Sequence, residues 1–225
     1  DGKVNYGTAN ASGGQAANDD YKTEEEKRKE ITLIGSDSVK TEAKTVSVNN
    51  AYLKGISTGT GTNTMKAGKV KVFARSVTGA DTHSSMPDEI AGIAFNNVSS
   101  NAYTNDSVHA YLSGVNLEAV SLTVEGVATS VANALAETGS GFSGVKFTKA
   151  DTNAGIGTGA DGRQSAQAGV TGGSVKARKD IVVRAFNKGS ATANIKSGTQ
   201  ESVFGNVENK TLPTASYYNT KAYAN

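Results

Sequence analysis

Two histidines and two loose carboxylate groupings are the side chains that could carry chemistry: His83 and His109, Asp81 with Asp88 and Glu89, and Asp151 with Asp161. Neither histidine has a second His or Cys at ligand spacing, and a tetrahedral metal site needs three or four such donors. A calcium roll needs an aspartate-bearing glycine loop in every turn, whereas Gly159-Ala160-Asp161-Gly162 stands alone. Glycoside hydrolysis needs two carboxylates flanking one bond, and nothing in the spacing makes any two of these a pair. Gly139-Ser140-Gly141-Phe142-Ser143-Gly144 lacks the spacing of a nucleophile elbow and has no phosphate-binding lysine, so it reads as a turn. The chain is therefore expected to have no catalytic residues, no metal site and no cofactor. Four tyrosines remain as candidate surface contacts: Tyr52, Tyr111, Tyr217 and Tyr218.

The elements that position these residues repeat. Ala51-Tyr52-Leu53-Lys54-Gly55-Ile56 returns as Ala110-Tyr111-Leu112-Ser113-Gly114-Val115, and the twenty residues before each copy align without a gap, Ile31 on Ile90 and Ala43 on Ala102. Fainter copies start at Ala168 and Ala222, so the alanine anchors lie 59, 58 and 54 residues apart. A period this long across four copies points to a stacked array. The units run over 1–50, 51–109, 110–167 and 168–225, as one continuous segment.

Composition sets the kind of array. Leu, Ile, Val and Phe number 42 of 225 residues, low enough to suggest disorder, but 23 basic residues nearly cancel 21 acidic ones, so collapse is not opposed by self-repulsion. Valine outnumbers leucine 21 to 7, which favours strands, because a branched Cβ loses rotamer freedom in a helix. With no cysteine and no tryptophan, cohesion rests on hydrogen-bonded ladders and small apolar side chains. A net charge of +2, with Lys176-Ala177-Arg178-Lys179 as the densest basic stretch, gives no footprint for nucleic acid. No apolar run is long enough for a membrane-spanning helix. The start at Asp1 is expected of either a mature chain or an excised piece, and the end at Asn225, partway through a unit, favours the excised piece.

Strand-like alternation marks each unit, at Val70–Ala74, Val120–Val124 and Ile181–Ala185, then at Gly92–Asn96, Gly144–Thr148 and Gly205–Asn209, then around the alanine anchors. Short strands separated by Gly, Asn and Ser predict an all-β fold, a single-stranded parallel β-helix (β-solenoid), expected to be right-handed. At roughly 20 residues per turn a unit would hold three turns, and the chain would form a rod of about 50 Å. Val, Ile, Leu and Phe are expected inside, with Lys, Thr and Asn outside. Inserts are expected at 19–30, a charge block, at 82–89 and at 155–173. Val120, Val124, Val127, Val131 and Leu135 also fall at helical spacing, leaving open one short helix within 126–137.

Val-x-Val strands paired with Ala-rich and Ser/Thr-rich stretches, as in 120–136 and 181–195, together with glycine bends and no cysteine, resemble the repeat regions of large secreted bacterial exoproteins of the filamentous haemagglutinin and leukotoxin type. The resemblance implies a secreted or cell-surface rod, exported through an outer-membrane partner and attaching to a host-cell or bacterial receptor or glycan. The expected role is a repeat-shaft segment acting by multivalent attachment or as a rigid spacer. A polysaccharide-degrading β-helix, such as a phage tailspike or pectin-lyase-like enzyme, is the alternative.

Overall fold

The computed structural model describes residues 4–13, 31–55, 64–86, 88–157, 163–211 and 214–224. The described residues form strands and connections, with no helix: β1 (Val4–Gly13), β2 (Ile31–Lys54), β3 (Thr64–Ser85), β4 (Glu89–Thr138), β5 (Gly141–Ile156), β6 (Gln164–Ala177), β7 (Ile181–Ser197), β8 (Gln200–Thr211), β9 (Ala215–Ser216) and β10 (Tyr218–Ala224). All pairings are parallel, within one sheet.

Each strand pairs with the matching stretch one unit further on. Ile31 pairs with Ile90, Ala43 with Ala102 and Ala51 with Ala110. Ala110 then pairs with Ala168, and Ala168 with Ala222, so the four anchors form one column. Partners thus lie a whole unit apart, not about 20 residues apart, and a unit supplies one rung of each ladder rather than three. Four rungs about 4.8 Å apart span roughly 15 Å instead of about 50 Å. The first recurring strand-like segment sits in a shifted register, with Val70 on Leu122 and Leu122 on Ile181, two residues beyond the sequence alignment.

Strands run far longer than the five or so residues expected, reaching 24 in β2 and 50 in β4. Gly, Asn and Ser stay within strands because each has a neighbour in register above or below that completes its backbone hydrogen bonds, as Asn101 has in Asn153. The region 82–89 is not a loop insert through most of its length, since β3 continues to Ser85 with Thr82 paired to Ala134. Likewise 155–173 contains the end of β5 and most of β6. The charge block 19–30 lies outside the described residues.

Side-chain bonds between β2 and β3 show two walls running in opposite directions, face to face. Thr45 Oγ1 donates to the Gly79 carbonyl at 2.8 Å and Asn49 Nδ2 to the Arg75 carbonyl at 2.6 Å, while Thr41 meets Ser84. Residue numbers across the gap sum to a nearly constant value, as expected for a chain that turns once between the walls. At the matching turn of the next unit Gly114 takes φ 63°, a left-handed conformation that glycine adopts without strain.

The expected interior is found in part: Val98, Leu112, Leu117, Leu122 and Ile156 are fully buried as expected, but alanine outnumbers such residues and the phenylalanines do not join them. Among the described residues, seventeen of the 29 buried apolar residues are alanine, and Ser and Thr make up most of the buried polar set. Phe95, Phe142, Phe147, Phe186 and Phe204 instead face outward. Small side chains let two long walls approach closely, so bulk goes to the outside. The possible helix at 126–137 is strand within β4, with Val127, Val131 and Leu135 turned outward and Ala128, Ala132, Ala134 and Ala136 inward. The period-two alanine set wins over the helical valine stripe because alanine fills this thin core.

Two polar seams divide that core into three apolar compartments. One joins Thr41, Thr82, Ser84 and Ser100 through hydroxyl bonds. In the other, Asp106 Oδ2 accepts from Thr78 at 2.9 Å and from Ser130 at 2.8 Å, and Ser130 also meets Gln164 Oε1. Opposite charges also occupy neighbouring rungs: the buried Glu125 and the exposed Arg184 are register partners 2.9 Å apart, and Glu137 and Lys196 are partners 3.0 Å apart. Such pairs penalise a slipped register, which would also turn every alanine outward.

Candidate contact surface

The outward residues of β2, β4, β6 and β10 form an aromatic column. Tyr52 pairs with Tyr111, Tyr111 with Gly169, and Gly169 with Tyr223. The rings of Tyr52 and Tyr111 stack at a centroid separation of 5.4 Å and 13° between planes, with Tyr52 62% exposed. Gly169 breaks the aromatic run, yet the Tyr223 ring covers it: a Cβ there would fall 2.2 Å from the ring. Lys221 Nζ lies 4.9 Å from the centre of the Tyr223 ring.

Polar groups flank the column two residues to one side. His109 Nε2 lies 3.3 Å from both Ser107 Oγ and Ser165 Oγ. Burial lowers the His109 pKa, so the imidazole is neutral at pH 7 and can donate and accept. Gln167 is in register with His109 and with Lys221, adding amide and ammonium donors. The wall therefore presents an aromatic column, a hydroxyl-rich strip and the Lys221 ammonium side by side.

A second outward ladder lies about 50 Å along the same face of the first wall, judged from the sixteen residues between Phe95 and Tyr111 at about 3.3 Å each. Phe95 and Phe147 stack at 5.4 Å and 10°, with Ile34 and Phe204 exposed beside them. Ser36, Asp37, Asn97, Thr148 and Lys149 border these rings in a shallow groove of about 350 Å³.

The remaining sequence candidates are dispersed. Tyr217 is exposed, and its backbone N–H donates to the Ile156 carbonyl at 2.8 Å. Tyr218 is half-buried against the alanine compartment that holds Ile156. Neither belongs to the aromatic column, whereas Tyr223 does; its place follows once Ala222 is aligned with Ala51.

The carboxylates are engaged separately. Asp81 accepts from Asn133, Asp88 from the Ser140 N–H, and Glu89 from Asn96, while Asp151 pairs with Lys149 at 2.9 Å. His83 lies 3.1 Å from Glu137, whose pKa is lowered chiefly by its bonds to Lys196 and His83. Asp161 lies outside the described residues. Among the described residues no three His, Asp or Glu side chains converge as metal ligands. Nor is any helix among them long and apolar enough to cross a membrane.

No family model, curated protein or solved structure matches this chain.

Proposed function

We propose that the chain is a shaft segment of a secreted or surface-exposed bacterial adhesin-like exoprotein, built as a parallel β-solenoid in which one unit of 52 to 71 residues makes one circuit. Its job in this reading is attachment through a repeated outer face. The observation that carries the reading is the column of Tyr52, Tyr111 and Tyr223 beside His109 and Gln167, because in-register stacking converts one weak contact into a row of them. Contacts repeated on one stiff body raise the effective concentration of each after the first has formed. The ligand chemistry that fits is a glycan chain, with sugar rings lying along the outward edges and hydroxyls of the tyrosine column and their own hydroxyls on the Ser, His and Gln strip.

Glycan-array and cell-binding measurements on the wild type and on Tyr52→Ser/Tyr111→Ser test this. Binding that drops at least tenfold in the double variant, with stability retained, supports attachment through this face. Absence of binding to both arrays and cells, or binding that the double variant leaves intact, refutes it and favours a spacer.

A further inference from the structure

One wall is built of β1, β3, the second half of β4 and β7, in that order. Its two outermost strands carry the same motif. Asn5-Tyr6-Gly7-Thr8-Ala9-Asn10-Ala11 and Asn187-Lys188-Gly189-Ser190-Ala191-Thr192-Ala193 share Asn, Gly, a hydroxyl residue and two alanines at identical spacing. The strands between them do not: Ser76 and Ala128 stand in the asparagine column, and Thr78 and Ser130 in the glycine column. Ala9, Ala80, Ala132 and Ala191 make one unbroken alanine column.

Among the described residues β1 pairs only with β3 and β7 only with β4, so each has one sheet edge without a strand partner. At β7 the apolar core also runs out. Ala132, Ala134 and Ala136 are buried, whereas their register partners Ala191, Ala193 and Ile195 are only partly so. A bare edge of 17 residues beside a half-covered alanine column is a template for a further strand. On the facing wall β2 and β10 are outermost in the same sense, since β2 pairs only with β4 and β10 only with β6. Each wall has four rungs, so one displacement of about 19 Å along the stack, with its twist, carries β1 onto the β7 edge and β2 onto the β10 edge together.

We propose that a second copy of this chain docks end to end on this surface, its β1 pairing in parallel with β7. The shared motif sets the register: the second copy's Asn5 lies on Asn187, its Gly7 on Gly189, its Ala9 on Ala191 and its Ala11 on Ala193. The same displacement puts the second copy's Ala51 on Ala222 and its Tyr52 on Tyr223, so the alanine anchors and the tyrosine column run on through the junction. Val4 to Gly13 contains no charged residue, so nothing in β1 repels Lys188 across the seam. The added strand satisfies the open backbone groups of β7, stacks like residues on like and covers Ala191 and Ala193. Two different surfaces meet in this contact, so it repeats along an open line and does not close at a dimer. It does not depend on what the outer face binds.

Sedimentation velocity of the wild type over a wide range of concentration measures the association, and the weight-average mass should climb past that of a dimer. The seam itself is read with cysteines, which the chain lacks. Asn10 and Thr192 take opposite register positions across the junction but lie three rungs, about 14 Å, apart within one copy, too far for an internal disulfide. Oxidised Asn10→Cys/Thr192→Cys should give a ladder of dimers, trimers and longer species on non-reducing denaturing gels. Asn10→Cys/Lys188→Cys, which is out of register, should give several-fold less. A wild type that stays monomeric at every concentration, a mass that stops at the dimer, no ladder from the in-register pair, or an equal ladder from the out-of-register pair overturns the proposal.

Discussion

Replacing Asp106 by asparagine should stabilise the protein at neutral pH. Asp106 is 1% exposed, and its Oδ2 accepts two hydroxyl bonds while Oδ1 accepts none. Burial raises its pKa above 3.8, opposed by the Ser130 and Thr78 bonds and, more weakly, by the nearby Ser76 hydroxyl, which does not come close enough to complete a hydrogen bond. A carboxyl whose folded pKa exceeds its unfolded value contributes most stability below the unfolded pKa, and loses that contribution as pH rises through the folded pKa. In Asp106→Asn the amide Oδ1 can keep the Thr78 and Ser130 bonds, and Nδ2 gains a donor's geometry toward Ser76 Oγ, itself buried and without a partner. Relieving a buried, unsatisfied polar group is worth about 1–3 kcal/mol. Urea denaturation of both proteins at several pH values between 4 and 8 measures this. The variant should gain about 1–3 kcal/mol at pH 7, with the advantage shrinking toward pH 4. Asp106→Ala should instead lose stability, since it strips Thr78 and Ser130 of their acceptor. A variant Asp106→Asn less stable than wild type at pH 7, or an advantage that does not change with pH, would refute the reasoning.

Three further outcomes can be measured on the same protein. Ala132→Leu inserts bulk between Ala80 and Ala191 in the fully packed alanine compartment, and should cost about 1–3 kcal/mol or more in chemical denaturation, whereas outward Val131→Leu should change stability by less than about 0.5 kcal/mol. Gly173→Ala should lower the thermal midpoint markedly more than Gly68→Ala, because Gly173 has φ 78° and its Cβ would lie 2.4 Å from the Val115 carbonyl oxygen, while Gly68 has open space. Glu137 has a lowered pKa, so its contribution with Lys196 and His83 is present above the unfolded carboxylate range and lost as pH falls through the folded value; Glu137→Gln should remove that acid-limb dependence and leave the neutral-pH midpoint only slightly lower.

How much of the candidate surface was legible varies by residue. Tyr52 and Tyr111 share a repeated hexapeptide, and their stacking follows from the repeat alignment. Tyr223 required accepting the faint fourth copy, and the covering of Gly169 by its ring is a matter of coordinates alone. Asn96 and Glu89 carry no motif, and the bond between their side chains is a matter of coordinates alone. The phenylalanines misled, since their hydrophobicity argues for burial while their column faces outward.

By itself, the sequence determined that this chain is built of β-structure repeating at the spacing of its alanine anchors, because valine excess and aligned hexapeptides depend only on residue order. The tertiary structure decided how many residues make one rung, which of the two strand faces points inward, and which distant polar groups meet in the core. Strand alternation is symmetric between faces, and only the closeness of the two walls breaks that symmetry: alanine, serine and threonine fit the gap, and the larger aromatics do not.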